Sequence, residues 1–410
     1  MRILMITPYP PSPIRVRALH LLRGLAHNGH TLHLLCPVHN QAEARDLESL
    51  RPICAEIIGV PAGRSSAIAS CLRALPTPLP LQAAYELQPA LVAAARAAII
   101  GGNFDVVHVE HLRAAQVALA ATVGLPTAPP LLLDAVDCIS LLFERTLRGS
   151  PALTSRLVAL LDVARTRRYE AMYAARFAGV VVTSPEDAWA IETLRAQYGA
   201  PTRSAPQVVA NGVDQEYFAP RDCPRDPATV IFSGKMSYHA NHAAALFLLA
   251  EIMPRVWHER PEVNVIIAGA QPAPQIRAFA RDPRVVVTGY VPDLRPFLAR
   301  ATLAVAPMRY GVGIQNKVLE AMAMGTPVIT SRQTTQALAA RPGRDLLVAE
   351  GAADFAHQIG AMLANPHYCR NLSDHACQYV AQHHSWAASV ATLENCYANA
   401  IQPKWIFSGW

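Results

Sequence analysis

Short apolar runs alternate with amphipathic stretches through the first half of the chain. Helical spacing of leucines marks 17–27, and longer helical patterns cover 113–121 and 154–178. Between them lie predominantly apolar segments without a polar–apolar alternation, as expected of strands buried on both faces: 2–7, 31–36, 106–109, 131–133 and 180–183. Such strands are typical of a parallel sheet covered by helices on both sides. The pattern therefore predicts a doubly wound α/β domain over residues 1–205.

The same alternation of strand and helix patterns begins again near residue 208. The predicted helices are 240–258, 317–324 and 353–364, and the predicted strands are 230–233, 263–268, 285–288, 303–306, 327–330 and 346–348. Five prolines between 200 and 227 suit a connector. We therefore expect a second doubly wound domain over 206–384. Ligands bind at the carboxyl ends of parallel strands, so we expect the two Rossmann-like domains to face a shared cleft.

Composition and charge narrow the class of protein. The 410 residues are 52% hydrophobic and 16% charged, which predicts globular domains. Every long apolar run is interrupted before the roughly 20 residues of a membrane-spanning helix, and the N-terminal run is too short for a signal peptide, so we expect a cytoplasmic protein. The net charge of +6 is spread over both halves, which disfavours nucleic-acid binding.

The eight cysteines form no Cys-x-x-Cys pair and no zinc-like cluster with histidine. This spacing predicts free thiols in a reducing compartment and no structural metal.

Candidate chemistry concentrates in residues 310–330. A predicted strand leads into a loop that contains Gly311 and Gly313, and the loop opens a helix near Asn316. Free N–H groups and the positive pole of a helix dipole favour a phosphate there. Lys317 adds a positive charge, and Glu320 shares its helix face, where a carboxylate is suited to ribose hydroxyls. The alternative is a surface helix with an ordinary ion pair.

The segment 310–330 resembles the signature of the retaining nucleotide-sugar glycosyltransferases of family 4, which have the two-domain GT-B architecture. Its Leu319-Glu-Ala-Met-Ala and Gly325-Thr-Pro-Val carry most of the likeness. Further blocks resemble the family in order and spacing: 107–113, 134–140, 183–187, 211–214, 232–235, 267–269 and 287–294.

The resemblance implies roles for individual residues. Glu320 corresponds to the second glutamate of the Glu-x7-Glu motif, which holds the nucleotide ribose. Lys235, with Lys317 as a second cation, corresponds to the basic residue on the donor diphosphate, whose departure the family stabilises without a metal. The alternative for both lysines is an ordinary surface position. The loop and helix start that would contact the donor comprise Gly313, Ile314, Gln315 and Asn316.

Two departures from the family separate this chain from its usual members. The first motif glutamate is replaced by Val312, so Gln315, Asn316 or backbone N–H groups are expected to recognise the donor sugar instead. The first loop lacks the usual Gly-Gly pair, and Arg15 or Arg17 is expected to supply charge there; solvated helix-start residues are the alternative.

The resemblance also places a histidine, His111, beside the bond being made, within one residue of register because Glu110 also fits. A structural histidine is the alternative. Asp134 and Asp137 follow the next strand, where an acceptor contact competes with turn or helix capping.

The leading hypothesis is a metal-independent glycosyltransferase that moves a sugar from a nucleoside-diphosphate sugar to an unidentified acceptor, with no further cofactor. The alternatives are a nucleotide-sugar 2-epimerase of the same fold and a catalytically silent partner of another transferase. An amphipathic helix is predicted over 385–401, and by resemblance 385–410 packs back on the first domain. The apolar tail 404–410 and the mild positive charge also suggest peripheral contact with a membrane.

Overall fold

The structure, a computed structural model, describes residues 1–150, 152–201 and 204–402. Contacts divide it into two compact units. Unit 1 contains 1–141, 160–210 and the described residues from Trp386 onward, and unit 2 contains 142–159 and 211–385. This division differs from the predicted bounds in two places. The change of unit falls at 210/211 rather than 205/206, and residues 142–159 pack with the second half of the chain because their helix contacts its loops.

Unit 1 is built on a parallel sheet. Its strands are β1 (Arg2–Ile6), β2 (Thr31–Val38), β3 (Glu56–Pro61), β4 (Val106–Glu110), β5 (Leu131–Val136), β6 (Gly179–Val182) and β7 (Gln207–Val208). Their order is β3-β2-β1-β4-β5-β6-β7, and every neighbouring pair is parallel. In the central strand, Met5 pairs with Leu34 on one side and His108 on the other. All three are buried, which explains the continuously apolar strands.

Helices connect the strands of the first half of the chain. These helices are α1 (Val16–His27), α2 (Gln41–Glu48), α3 (Arg64–Ala74), α4 (Leu81–Glu86), α5 (Pro89–Gly102), α6 (His111–Thr122), α7 (Ile139–Gly149), α8 (Leu153–Ala171), α9 (Tyr173–Arg176) and α10 (Pro185–Gln197). The helix predicted over 154–178 therefore ends at Ala171 and resumes as the short α9.

Unit 2 repeats the design with a second parallel sheet. Its strands are β8 (Thr229–Ser233), β9 (Asn264–Ala268), β10 (Val285–Gly289), β11 (Leu303–Ala306), β12 (Val328–Thr330) and β13 (Leu347–Val348), in the order β10-β9-β8-β11-β12-β13. Its core contains Phe232, Ile267 and Val305 from three strands. The two parallel α/β sheets confirm the predicted fold class.

The remaining helices correspond only in part to the sequence pattern, which predicted no helix over 274–277, 295–300, 332–336 or 366–383. They are α11 (His239–Phe247), α12 (Met253–Glu259), α13 (Pro274–Arg277), α14 (Arg295–Arg300), α15 (Asn316–Ala323), α16 (Arg332–Gln336), α17 (Gly351–Ala364), α18 (Pro366–His383) and α19 (Trp386–Ile401). A π-helical turn (Leu248–Ile252) joins α11 to α12, so the helix predicted over 240–258 is one helical stretch.

Helix α19 packs within unit 1. The Cγ2 atom of Val390 lies 2.5 Å from the point where a Cβ on Gly24 would stand, so only glycine allows α1 and α19 to approach this closely. Farther along, the hydroxyl of Tyr397 lies 2.8 Å from Nδ1 of His108. The tail 404–410 lies outside the described residues. Within the described ranges, no helix is long and apolar enough to span a membrane.

Candidate functional site

The loop between β11 and α15 has the backbone geometry of an anion site. Gly313 has a φ of +66°, which favours glycine, and the loop ends at Gln315, the residue before α15. No side chain caps that helix start, and the N–H of Val318 donates to the carbonyl of Gln315, so the N–H groups of Asn316 and Lys317 stay available to a ligand. At the other end, Gly325 has a φ of +68° and its N–H bonds to the carbonyl of Met322, which terminates α15.

Lys317 and Glu320 influence each other's charge at the start of α15. Burial lowers the pKa of Lys317 to about 8, although the carboxylate of Glu320 opposes this shift. Burial likewise raises the pKa of Glu320 to about 7, and Lys317 opposes that shift. The Nζ atom of Lys317 donates a hydrogen bond to Oε1 of Gln315 at 2.8 Å. A half-buried cation and a half-buried carboxylate therefore share one side of this helix.

The loop after β8 lies against Lys317. A Cβ on Gly234 would stand 3.2 Å from Cε of Lys317, and a Cβ on Gly269 would stand 1.9 Å from the carbonyl oxygen of Gly234. Two glycines thus let the ends of β8 and β9 and the lysine side chain come together. Lys235, the next residue, is exposed, and its carbonyl accepts a hydrogen bond from Asn241. The structure thus brings the backbone beside Lys235 to the side chain of Lys317.

The loop residues expected to recognise the donor sugar are partly engaged within the protein. Nε2 of Gln315 donates to the carbonyl of Val312, and its Oε1 accepts from Lys317, so both polar atoms of the Gln315 amide are hydrogen-bonded within the protein. Asn316 accepts a hydrogen bond from Asn211 at 3.2 Å. Ile314 and Val312 are buried, so an apolar side chain occupies the place of the missing glutamate.

Tyr310, which the sequence analysis did not single out, anchors this loop. Its side chain is 1% exposed, and its hydroxyl lies 3.0 Å from Nδ1 of His239 and 3.3 Å from Oγ of Ser150. One residue later, the carbonyl of Gly311 accepts a hydrogen bond from Nη1 of Arg145 at 2.7 Å. A buried aromatic residue directly before a Gly-x-Gly loop was the available signal in the sequence.

Two further candidates, His111 and Arg15, belong to unit 1. His111 is the first residue of α6 and has a φ of +67°. Burial and, secondarily, Arg113 lower the pKa of His111 to about 3, so its imidazole is neutral at pH 7. Arg15 pairs with Glu43 at 3.1 Å and lies 4.1 Å from the centre of the Tyr9 ring. Its charge is therefore already matched within unit 1.

Several buried polar side chains lie near the carboxyl ends of β4 and β5. Nε of Arg17 donates to Oδ2 of Asp134 at 2.7 Å, which gives Asp134 a structural partner. Burial, then the charge of Asp134, raises the pKa of Glu110 to about 8, and its Oε2 atom has no hydrogen-bond partner among the described residues. Val136 has a φ of +65°, a strained conformation for a β-branched side chain. Buried polar atoms and backbone strain at one sheet edge are typical of functional sites.

Burial and a neighbouring carboxylate, Asp187, raise the pKa of Asp137, which also accepts a hydrogen bond from Thr183.

Among residues 1–150, 152–201 and 204–402, no group of three or more His, Cys, Asp or Glu side chains is placed to hold a metal ion.

Part of the chain matches a family of known proteins. Residues 227–365, which include Lys235, Lys317 and Glu320, match the family model described as glycosyl transferases group 1. The chain is 26% identical over 242 residues to D-inositol 3-phosphate glycosyltransferase 2 of Catenulispora acidiphila, and this match covers 53% of the chain and 55% of the relative. The match therefore spans about half the length of that curated relative.

Solved structures resemble the chain over nearly its whole length. Sucrose-phosphate synthase from Thermosynechococcus elongatus has a TM-score of 0.73 at 16% identity, with 97% of this chain and 98% of that chain covered. HepE of Anabaena in complex with UDP has a TM-score of 0.67 at 15% identity, with coverages of 97% and 100%. At these identities the likeness shows the fold alone.

Proposed function

We propose that this chain, whose residues 227–365 form a glycosyl transferases group 1 domain, is a glycosyltransferase that uses a nucleoside-diphosphate sugar as donor. The observation that carries the proposal is the approach of Lys317 to the glycine loop after β8, with Glu320 on the same helix start. A cation, free helix N–H groups and a carboxylate suit a diphosphate and a ribose bound side by side. The solved HepE complexes with UDP and with UDP-glucose support this class of donor.

In the proposed mechanism, the donor diphosphate leaves with its developing negative charge stabilised by Lys317, Lys235 and the start of α15. Glu320 accepts hydrogen bonds from the ribose hydroxyls. Because these groups supply the stabilisation, we propose transfer without a metal or a further cofactor, and with retention of configuration as in the resembling family. The neutral imidazole of His111 is proposed to hydrogen-bond the donor sugar or the acceptor.

A donor panel tests the proposal. The purified protein is incubated with UDP-, GDP- and ADP-sugars in EDTA, and nucleotide release and calorimetric binding are measured. We expect one donor to bind and turn over, and Glu320→Ala to weaken its binding by roughly tenfold or more, the effect of one hydrogen bond to a charged group. Glu259→Ala, which removes an exposed carboxylate at the end of α12, is the matched control and should behave as wild type.

The same assay separates the alternatives. Glu320-dependent binding without turnover on any acceptor would favour a silent binding partner. Conversion of the donor to its 2-epimer would favour the epimerase. Donor binding that Glu320→Ala leaves unchanged would remove the basis of the proposed site.

We further propose peripheral contact with an anionic membrane surface; the cytoplasmic location stays a prediction. Helix α3 presents Ile68 and Leu72, and Leu75 follows at its C-terminal cap; their exposed fractions are 56%, 61% and 49%. Exposed Arg64 and Arg73 flank this stripe. Apolar side chains flanked by arginines are suited to an anionic lipid surface. Flotation with anionic liposomes should carry the protein upward, and Ile68→Ser with Leu72→Ser should leave it at the bottom; wild-type protein that never floats would refute the contact.

A further inference from the structure

Three arginines meet in one cavity of unit 2, away from the Lys317 side chain. The cavity is about 380 Å³ in volume, and the described residues that line it are Arg145, Arg148, Gly149, Arg309, Gln333 and Gln336. This lining contains three cations and no carboxylate. Arginines that surround an empty volume favour an anion with several oxygen atoms, because the planar guanidinium matches phosphate and carboxylate.

The local structure holds these arginines close together. Gly149 ends α7, and a Cβ there would stand 3.2 Å from the carbonyl of Arg309, so the absence of a side chain lets α7 reach the loop after β11. Arg145 is fixed by hydrogen bonds to the carbonyl of Gly311 and to Oε1 of Gln336. Arg148, one turn further along α7, is exposed, and no described carboxylate pairs with it. One cation therefore remains available to a ligand beside others that are held in place.

A second cavity of about 650 Å³ adjoins the first and shares Gly149, Arg309, Gln333 and Gln336 with it. Its charged lining is balanced: Arg309 pairs with Glu251 at 3.5 Å, and Arg332 pairs with Glu350. Its apolar wall is provided by Phe247, Pro307, Met308 and Phe355. This second cavity is suited to the uncharged part of a ligand whose anionic group lies among the arginines of the first cavity.

Gln333, which lines both cavities, indicates which polar group the neutral part of the ligand contains. Its Oε1 atom is buried and has no hydrogen-bond partner among the described residues. A buried acceptor without a partner costs free energy, which a ligand hydroxyl would recover by donating to it. Hydroxyl groups beside an apolar wall and a phosphate among arginines describe a phosphorylated sugar or polyol.

We propose that these two adjoining cavities bind a phosphorylated sugar or polyol, with its phosphate between Arg145, Arg148 and Arg309 and a hydroxyl on Gln333. The bound molecule would lie directly behind the donor loop, because Arg145 also holds the carbonyl of Gly311. If the proposed transferase activity is correct, the ligand serves either as acceptor or as effector of that loop. Binding itself does not depend on the transferase proposal.

The experiment measures binding without nucleotide. Glucose 6-phosphate, fructose 6-phosphate and glucose 1-phosphate are titrated into the full-length protein by calorimetry, with glucose and inorganic phosphate as controls. We expect at least one sugar phosphate to bind more tightly than either control, and its affinity to fall with added salt. Arg148→Ala should weaken it about tenfold, the loss expected from one charge-assisted hydrogen bond. Arg156→Ala, which removes an exposed arginine of α8 that lines neither cavity, should bind as wild type.

Two further variants locate the site. Arg309→Ala should also weaken binding, whereas Lys317→Ala should not. Loss of binding in Lys317→Ala alone would place the sugar phosphate in the donor site and overturn the proposal, as would wild-type affinity in both Arg148→Ala and Arg309→Ala. Absence of saturable binding by all three sugar phosphates at millimolar concentration would also overturn it.

A turnover assay with the donor then distinguishes an acceptor from an effector. A product that contains the sugar phosphate identifies an acceptor, and a changed rate without its consumption identifies an effector. A protein that binds the sugar phosphate through Arg148 but transfers no sugar would retain this site and lose the proposed function.

Discussion

The hydroxyl of Tyr310 lies 3.0 Å from Nδ1 of His239, and the two rings stack with their centroids 5.4 Å apart. Tyr310 directly precedes the glycine loop, and His239 is the first residue of α11, which follows the loop after β8. This contact therefore links the two loops that form the proposed diphosphate site.

Removal of the Tyr310 hydroxyl should loosen both loops. Tyr310→Phe leaves His239 and Ser150 without this partner, so we expect a loss of about 1–2 kcal/mol in unfolding free energy and a higher KM for the donor. Thermal unfolding and donor kinetics measure the two effects. Tyr198→Phe, at a half-exposed position, is the control; equal melting temperatures for the two variants would show that the buried contact contributes nothing.

The kcat/KM for the donor should decrease both at low pH and at high pH. Glu320, with a pKa of about 7, loses its negative charge as the pH falls, which weakens its hold on the ribose. Lys317, with a pKa of about 8, loses its positive charge as the pH rises, which weakens its hold on the diphosphate. We therefore expect kcat/KM to pass through a maximum between these values, because this ratio reports the free enzyme. Lys317→Arg should extend activity to higher pH; a wild-type profile that stays flat through this range would contradict the assignment.

Gly234 should tolerate no side chain. Its φ is +147°, and a Cβ would stand 2.8 Å from Nδ2 of Asn241 as well as close to Lys317. Gly234→Ala should cost about 2 kcal/mol of stability and weaken nucleotide binding, because the new methyl group displaces the lysine. Gly343 also has a positive φ, but no atom lies within 4 Å of its virtual Cβ, so Gly343→Ala tests backbone strain alone. Calorimetric titration of nucleotide should separate the two variants, and equal affinities would refute the displacement.

The buried ion pair between Arg17 and Asp134 should be important for unit 1. Arg17 also donates to the carbonyl of Val209, so one guanidinium ties α1 to β5 and to the segment after β7. Arg17→Met leaves an unpaired buried carboxylate and should cost about 3–5 kcal/mol, measured by urea unfolding. Arg17→Met combined with Asp134→Leu should recover part of this loss. A loss below about 1 kcal/mol in the single variant would mean that water already reaches Asp134.

The elements that position the candidate site could be predicted from the sequence because their patterns are local. The predicted helix 317–324 corresponds to α15 (Asn316–Ala323), and the predicted strand 303–306 corresponds to β11. By contrast, β3 was missed because its residues are mostly half-buried or exposed and carry no continuous apolar run.

Long-range contacts could not be predicted in this way. Arg145 and Gly311 are 166 positions apart, and nothing in the local pattern around Arg145 indicates a hydrogen bond to that loop. The engagement of Gln315 with Val312 and Lys317 likewise depends on side-chain packing. The predicted GT-B fold is confirmed, and residues 227–365 match the glycosyl transferases group 1. Family 4 membership and the residue roles stay predictions.

The chain passes between the two units several times, and this limits how the protein can be divided into fragments. The polypeptide changes unit after residues 141, 159, 210 and 385, so neither unit corresponds to one uninterrupted piece of the gene. A fragment cloned as 211–385 would retain Lys235, Lys317 and Glu320 but would lack α7 and with it Arg145 and Arg148. Domain swaps between homologues at a single junction would therefore combine the donor loop of one parent with the supporting arginines of the other.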